Sequence, residues 1–365
     1  MNKNPRLPHA ESLPSALPLL LNWYQAHHRD LPWRVARTAY HTWISEIMLQ
    51  QTRASTVIPY YERFLDALPD IAALATVPED MLLKLWQGLG YYSRARNLQK
   101  AARILQADYA GQMPDDFASL LALPGIGRYT AAAIGSMNWG KPWPAVDGNV
   151  LRIVMRHLSA PLDIAKESTK RLVERELAAI YPTDGTAGDL NQAFMDLGAT
   201  ICVPNGAPHC AACPLASLCL AHHEGSEQEL PIKTKAGHRR VEKRTVLLIC
   251  QGPFFVILRR PPKGLLASLW EFPNLPGHLT RADIRSYLSG HQLTYTSLKS
   301  LPAARHIFSH VEWHLTGWRI ELSPDCPASA SVSEATDHCW VSRDELASTY
   351  SLPTAFHAYL PYLPG

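Results

Sequence analysis

The chain has 365 residues, which fits two or three domains, and its 47% hydrophobic and 18% charged residues supply packed cores and exclude a disordered chain. The net charge of +3 lacks the strongly basic signature of a nucleic-acid binder, so any DNA surface has to come from local clustering. No run approaches the roughly 18 apolar residues of a membrane span, and the N-terminal segment, broken by Glu11, has a short leucine run but no signal-peptide pattern, so a soluble cytoplasmic protein with no membrane partner is expected.

Residues 13–221 read as helical. Apolar residues recur at three- and four-residue spacing through Trp43, Ile44, Ile47 and Met48, and again through Leu82, Leu85, Trp86 and Leu89, with breaks at Pro69, Pro114 and Pro124–Gly125. The spacing predicts one helix over 40–58. Glu46 falls inside its apolar run, with Gln50 and Gln51 one turn on. Desolvation raises the pKa of a carboxyl in that setting and makes it a general acid near neutral pH; a Glu on the solvated stripe is the plain alternative. Between Asp80 and Asp108 stand Lys84, Arg94, Arg96, Lys100 and Arg103 with no acid, a candidate phosphate-facing cluster or else a solvated helix face.

The segment LPGIGRYTAAAIGSM joins a glycine turn to a helix. Gly125 and Gly127 let amide N–H groups point outward and the helix dipole adds to them, which is the pattern of a helix-hairpin-helix phosphate site. Asp147, in PAVDGNVLRIVMRHL, reads as the N-cap of a helix starting at about Gly148. Together with Glu46 it also makes a protonated/ionised carboxyl pair of the kind used on glycosidic bonds.

Four of the seven cysteines, Cys202, Cys210, Cys213 and Cys219, follow C-x7-C-x2-C-x5-C. Such a cluster surrounds one metal centre. Its uneven spacing favours a 4Fe-4S cluster over a zinc ion, which remains the alternative. Residues 222–240 are polar without periodicity and read as a linker. Beyond them TVLLIC, FFVILRR and WHLTGWRIELS read as strands and 281–289 as a short helix, an α+β unit separate from the helical one.

In combination, SEIMLQQT, GLGYYSRARNL, LPGIGRYTA, VDGNV, NQAFMDLGA and the four cysteines resemble the MutY family of adenine DNA glycosylases, within the endonuclease III-like superfamily. RPPKGLLASLWEFP and RHIFSH resemble that family's Nudix-like C-terminal domain. The resemblance implies a multidomain fold: an all-α helix-hairpin-helix glycosylase domain with an iron–sulfur loop over 13–221, a linker over 222–240, and a Nudix-like 8-oxoguanine recognition domain over 241–365. It implies a monomer acting on double-stranded DNA with adenine opposite 8-oxoguanine or guanine, nucleoid-associated in a bacterium.

By the same resemblance, Glu46 protonates the adenine, Asp147 stabilises the sugar cation, and Tyr129 and Asn149 buttress the pair. Trp33, Arg34 and Gln192 line the adenine pocket. Gln51, Thr52, Leu89 and Tyr91 wedge into the duplex, and Phe308, Ser309 and His310 sit on the 8-oxoguanine. Tyr129 stands where the endonuclease III branch carries a Schiff-base lysine, so a glycosylase without strand cleavage is expected. A bifunctional pyrimidine-damage glycosylase/lyase and a non-catalytic iron–sulfur DNA-binding protein are the alternatives. Two departures stand out: seven residues separate the first two cysteines where the family has six, and LTRADIRSYLSG lacks the glutamates of a Nudix hydrolase helix, so no hydrolase activity is expected.

Overall fold

A computed structural model describes residues 6–234, 238–326 and 337–365. The chain divides into two units. Residues up to 76 cluster with those from 96 to 234, and residues 77–95 cluster with those from 238 onward. Among the described residues no helix is long and apolar enough to cross a membrane.

The first unit is helical. Short polar side chains start its helices where the sequence places them. Thr38 accepts from the His41 amide ahead of Ala39–Leu49, Asp116 from the Ser119 amide ahead of Phe117–Ala122, and Asp147 from the Asn149 and Val150 amides ahead of Gly148–His157. The core gathers Leu20, Val154, Leu177 and Leu197 from four different helices. The helix Ala187–Thr200 packs against Leu13–His27, Arg128–Trp139 and Gly148–His157. Its close approach to the last of these needs Gly198, where an added Cβ would lie 2.7 Å from the Asn149 Cβ.

Two expectations fail here. The helix expected over 40–58 ends at Leu49, and a new one runs over Ala54–Ala67. Between them Gln51 takes a left-handed φ of 61° and the Thr52 amide closes a turn on the Leu49 carbonyl. No glycine or asparagine marks that left-handed residue, so the sequence carries no signal for it. The stretch expected as linker is also fixed over much of its length. Leu220–Glu224 is helical, the Leu230 carbonyl accepts from Arg156 Nε at 2.9 Å, and Asp163 accepts from the Thr234 hydroxyl at 2.6 Å.

The second unit is built on a mixed sheet of seven strands: β1 (Arg240–Gln251), β2 (Phe254–Arg259), β3 (Trp270–Glu271), β4 (Asn274–Pro276), β5 (Tyr295–Ile307), β6 (Val311–Leu322) and β7 (His338–Val341). Their order is β3-β2-β1-β6-β5, with β4 beside β1 and β7 beside β2. β1 and β6 pair in parallel and the other pairs are antiparallel. The continuous apolar run of β1 follows from burial on both faces: Val246, Leu248 and Cys250 enter one core, Leu247 and Ile249 the other. The helix Arg281–Gly290, started by a Thr280–Asp283 capping box, covers the second face with Ile284 and Leu288. The strands β3, β4, β5 and β7 were not foreseen; they are short or rich in polar residues.

Candidate active site

One cavity of about 520 Å³ in the helical unit collects most of the expected site residues. Glu46, Asp147, Tyr129, Asn149, Trp33, Arg34, Gln192, Gln51 and Thr52 all line it. The volume suits a small-molecule or nucleotide-sized guest.

Glu46 is only 7% exposed. Burial raises its carboxyl to about 7, against the Tyr129 hydroxyl, which donates to Oε2 at 2.7 Å and lowers it. Nearby Asp147 raises it further and Arg34 lowers it. The solvated-stripe alternative is thereby excluded.

Asp147 is both a cap and a cavity residue. Its Oδ1 accepts from the Asn149 and Val150 amides at 2.8 and 2.9 Å, and its Oδ2 from Asn149 Nδ2 at 2.8 Å. Burial raises its pKa too, but these bonds and the charge of Arg152 pull the other way. Two carboxyls in one cavity thus differ in environment: one under desolvation with a single phenol partner, the other under three donors. Such a difference in environment is what lets paired carboxyls take different protonation states.

Asn149 is held in turn, since its Oδ1 accepts from Arg152 Nη2 at 2.9 Å. The Met195 sulfur lies 3.7 Å from Asn149 Nδ2 and 4.0 Å from the Tyr129 hydroxyl, between the two halves of the pair.

The four cysteines come together at the far end of the helix that Asp147 caps. All four line one small pocket with Arg156, His222 and Glu227, and none is in a disulfide. Arg156 Nη1 lies 3.2 Å from Cys202 Sγ, and the Cys219 thiol donates to the Arg156 carbonyl at 3.5 Å. Burial pushes the Cys213 and Cys219 thiols up to about 12 and about 11, and Cys210 is raised too. Such thiols become thiolates only beside a compensating charge, and a multivalent metal centre supplies one. The donor set therefore fits a metal centre and not four unrelated core cysteines. The ligand atoms of Cys210, His222 and Glu227 also lie within 4.8 Å of one another, a proximity the sequence reading missed.

Residues 44–182 match the HhH-GPD superfamily of base excision DNA repair proteins, and residues 245–362 match a NUDIX domain. The chain is 35% identical to the adenine DNA glycosylase of Buchnera aphidicola subsp. Baizongia pistaciae, over 81% of this chain and 83% of the relative. It is 33% identical to that of Rattus norvegicus, over 95% and 78%. The chain belongs to the adenine DNA glycosylase family. Among solved structures, a thermostable thymine-DNA glycosylase is similar at 28% identity and a TM-score of 0.53, covering 59% of this chain and 98% of that one. A non-covalent endonuclease III–DNA complex is similar at 26% and 0.51, covering 59% and 97%.

The residues that the glycosylase resemblance assigns to DNA are placed unevenly. Gly125 has a φ of 81° and faces Asn97, whose Cβ would lie 2.8 Å from an added Cβ; Gly127 caps Arg128–Trp139 in extended backbone. Tyr91 is 46% exposed, on a left-handed residue of the second unit. Leu89 is not presented: it is 6% exposed, and its carbonyl accepts from Arg94 Nη2 at 3.0 Å. Phe308, Ser309 and His310 form the turn between β5 and β6, closed by the Phe308 amide on the Val311 carbonyl. Phe308 stacks edge-on to Trp313, while Ser309 and His310 are exposed, and the Ser309 hydroxyl lies 2.6 Å from that of Tyr91.

The basic cluster is largely a correction. Lys84 Nζ donates to the Leu346 and Tyr350 carbonyls, Arg94 lies buried beside the Trp86 and Tyr91 rings, and Arg103 Nε donates to the Ala75 carbonyl. Three of the five cations therefore donate to backbone carbonyls of the chain itself.

Cavity residues that sequence reasoning missed include Arg29, Arg37, Arg53 and Met195, together with Asp196 behind them. A signal existed for one: Asp196 follows Gln192 by four residues and so shares its helix face.

Proposed function

We propose that this chain removes adenine from DNA where it stands opposite 8-oxoguanine or guanine, by hydrolysis of the N-glycosidic bond without cutting the strand. The observation that carries this reading is Glu46, a buried carboxyl held near 7 by burial, in one cavity with a multiply hydrogen-bonded Asp147. A base inside a duplex is unreachable, so the adenine enters the cavity flipped out of the stack. Trp33, Arg34 and Gln192 bind it. Glu46 gives its proton to the departing purine, which is a poor leaving group unless protonated. The positive charge that then develops on the sugar faces the Asp147 carboxylate. Tyr129 orients Glu46 and, lacking an amine, forms no imine with the sugar, which supports a monofunctional enzyme.

A 4Fe-4S cluster fits Cys202, Cys210, Cys213 and Cys219, and when bound it would supply a rigid cross-link of the loop. Ser309 and Tyr91, exposed and hydrogen-bonded to each other, support a role for the β5–β6 turn in reading the opposite base. Gly125 and Gly127 offer the hairpin amides to a backbone phosphate, and the protein acts as a monomer.

Single-turnover assays on a duplex with adenine opposite 8-oxoguanine, with and without hot alkali, test the reading. Strand breaks seen only after alkali, and lost in Glu46→Gln, are expected. Breaks without alkali would move the protein to the lyase branch, and no product with DNA still bound would leave a binding protein.

A further inference from the structure

Behind the cavity sits a carboxylate that the mechanism above does not use. Asp196 is completely buried, and five donors converge on it. The Arg29 amide and Arg34 Nη1 reach Oδ2 at 3.0 and 2.8 Å; Arg29 Nε, Arg29 Nη2 and Arg34 Nη2 reach Oδ1 at 2.8, 2.7 and 2.9 Å. Arg34 Nη1 also donates to the Arg29 carbonyl, and its guanidinium lies over the Tyr24 ring at 5.5 Å. Both Nη groups of Arg34 are thereby committed, and only the buried Nε is left without a partner.

Both arginines line the same cavity as Glu46. A guanidinium beside a buried carboxyl forms an ion pair unless something holds it, and a carboxyl so paired loses its proton. We propose that Asp196 is a positioning residue of the reaction: it holds Arg34 and Arg29 so that Arg34 keeps its Nε–H for the bound base and does not pair with Glu46. This rests on the adenine-excision reading and adds the device that keeps its acid protonatable.

The charges support it. Burial opposes the negative charge on Asp196, yet its bonds to Arg34 and Arg29 hold it below the usual carboxylate range, so it stays an anion under both guanidinium groups. The groups that face Glu46 are Tyr129, Asp147 and Arg34, with Arg29, Arg37 and Arg53 elsewhere on the cavity wall. Of these only Arg34 is a cation acting on Glu46, and Asp196 is its anchor.

The test uses the full-length protein as Asp196→Asn, Asp196→Glu and the double variant Asp196→Asn/Arg34→Met, with folding checked by thermal unfolding. Two quantities are followed against pH: the single-turnover excision rate, and the infrared band of the protonated Glu46 carboxyl, assigned with Glu46→Gln. In Asp196→Asn both midpoints should fall by about one pH unit or more. Asp196→Glu should keep the wild-type midpoints, and the double variant should bring them back to the wild-type values or above, since the cation that lowers Glu46 is gone. If Asp196→Asn does not fold, the double variant and Asp196→Glu decide between them. A midpoint lowered in the double variant too, or unmoved in a folded Asp196→Asn, overturns the proposal. A wild-type chain that excises no adenine overturns the functional reading alone, because the infrared midpoint still decides the role of Asp196.

Discussion

Glu46 shows at the residue scale what a site exacts from stability. Its folded-state pKa of about 7 lies above the ordinary 4.5, so the folded protein binds more protons than the unfolded chain between those values. Stability therefore falls as pH rises from 4.5 to 7. Glu46→Gln should be more stable than wild type at pH 8 by on the order of 3 kcal/mol, with the advantage gone at pH 4, as read from denaturant midpoints. The same proton governs turnover: excision should fall with one-proton slope as pH rises through about 7.

Tyr129→Phe removes the hydrogen bond that lowers the Glu46 carboxyl, so the basic limb should move to higher pH. The plateau rate should drop roughly tenfold to a hundredfold because the acid is no longer oriented. Asp147→Asn should keep thermal stability within about 1 kcal/mol, since Asn caps helices well, while losing excision by a hundredfold or more. Glu46 and Asp147 were legible in the sequence because each breaks a local pattern, a charge in an apolar stripe and an acid at a helix start. The partner of Arg34 was not, because 162 residues separate it from Asp196 and nothing local reports the pairing.

Among the elements, the helix Gly148–His157 does the most connecting. Asp147 caps one end, Arg152 reaches the Asn149 side chain and the Gly198 and Cys202 carbonyls, and Arg156 at the other end reaches Cys202 Sγ. The cysteine loop and Asp147 are thus tied through one rigid rod. Cys213→Ser should lose the visible absorbance of the purified protein, and a colourless wild type carrying zinc would refute the iron–sulfur assignment. At the hairpin, Gly125→Ala meets both a left-handed φ and the Asn97 Cβ, and should cost about 1–3 kcal/mol together with DNA affinity in a salt-titrated binding assay. The hairpin was legible because glycines announce it. The break at Gln50–Arg53 was not, because a glutamine gives no warning of a left-handed turn.

Across the whole molecule, chain order and the grouping of contacts differ. A composition shift at 222–240 is visible, but residues 77–95, which carry Leu89 and Tyr91, cluster with the C-terminal strands. Lys84 Nζ reaches the Leu346 and Tyr350 carbonyls, Gln87 Nε2 the Leu352 carbonyl, and the Ser351 hydroxyl the Leu83 carbonyl. Backbone acceptors leave no signature in side-chain patterns, so the lysine reads as part of a basic face. Lys84→Met should lower the melting temperature by a few degrees. It should also weaken the preference for 8-oxoguanine over guanine more than it slows excision opposite guanine; equal losses on both substrates would mean that the segment serves folding alone.

The Ser351–Leu83 bond spans 268 residues, and that has a consequence for how the protein is made. At ribosomal rates of roughly 5–20 residues per second, residues 77–95 leave the exit tunnel on the order of tens of seconds before their partners exist. Throughout that time the Lys84 ammonium and the Leu83 carbonyl remain hydrated, and the segment cannot reach its final place. A chain released before residue 346 would carry the cysteine loop, Glu46 and Asp147 beside a 77–95 segment without its partners. Residues 346–352 therefore decide when residues 83–87 find their partners.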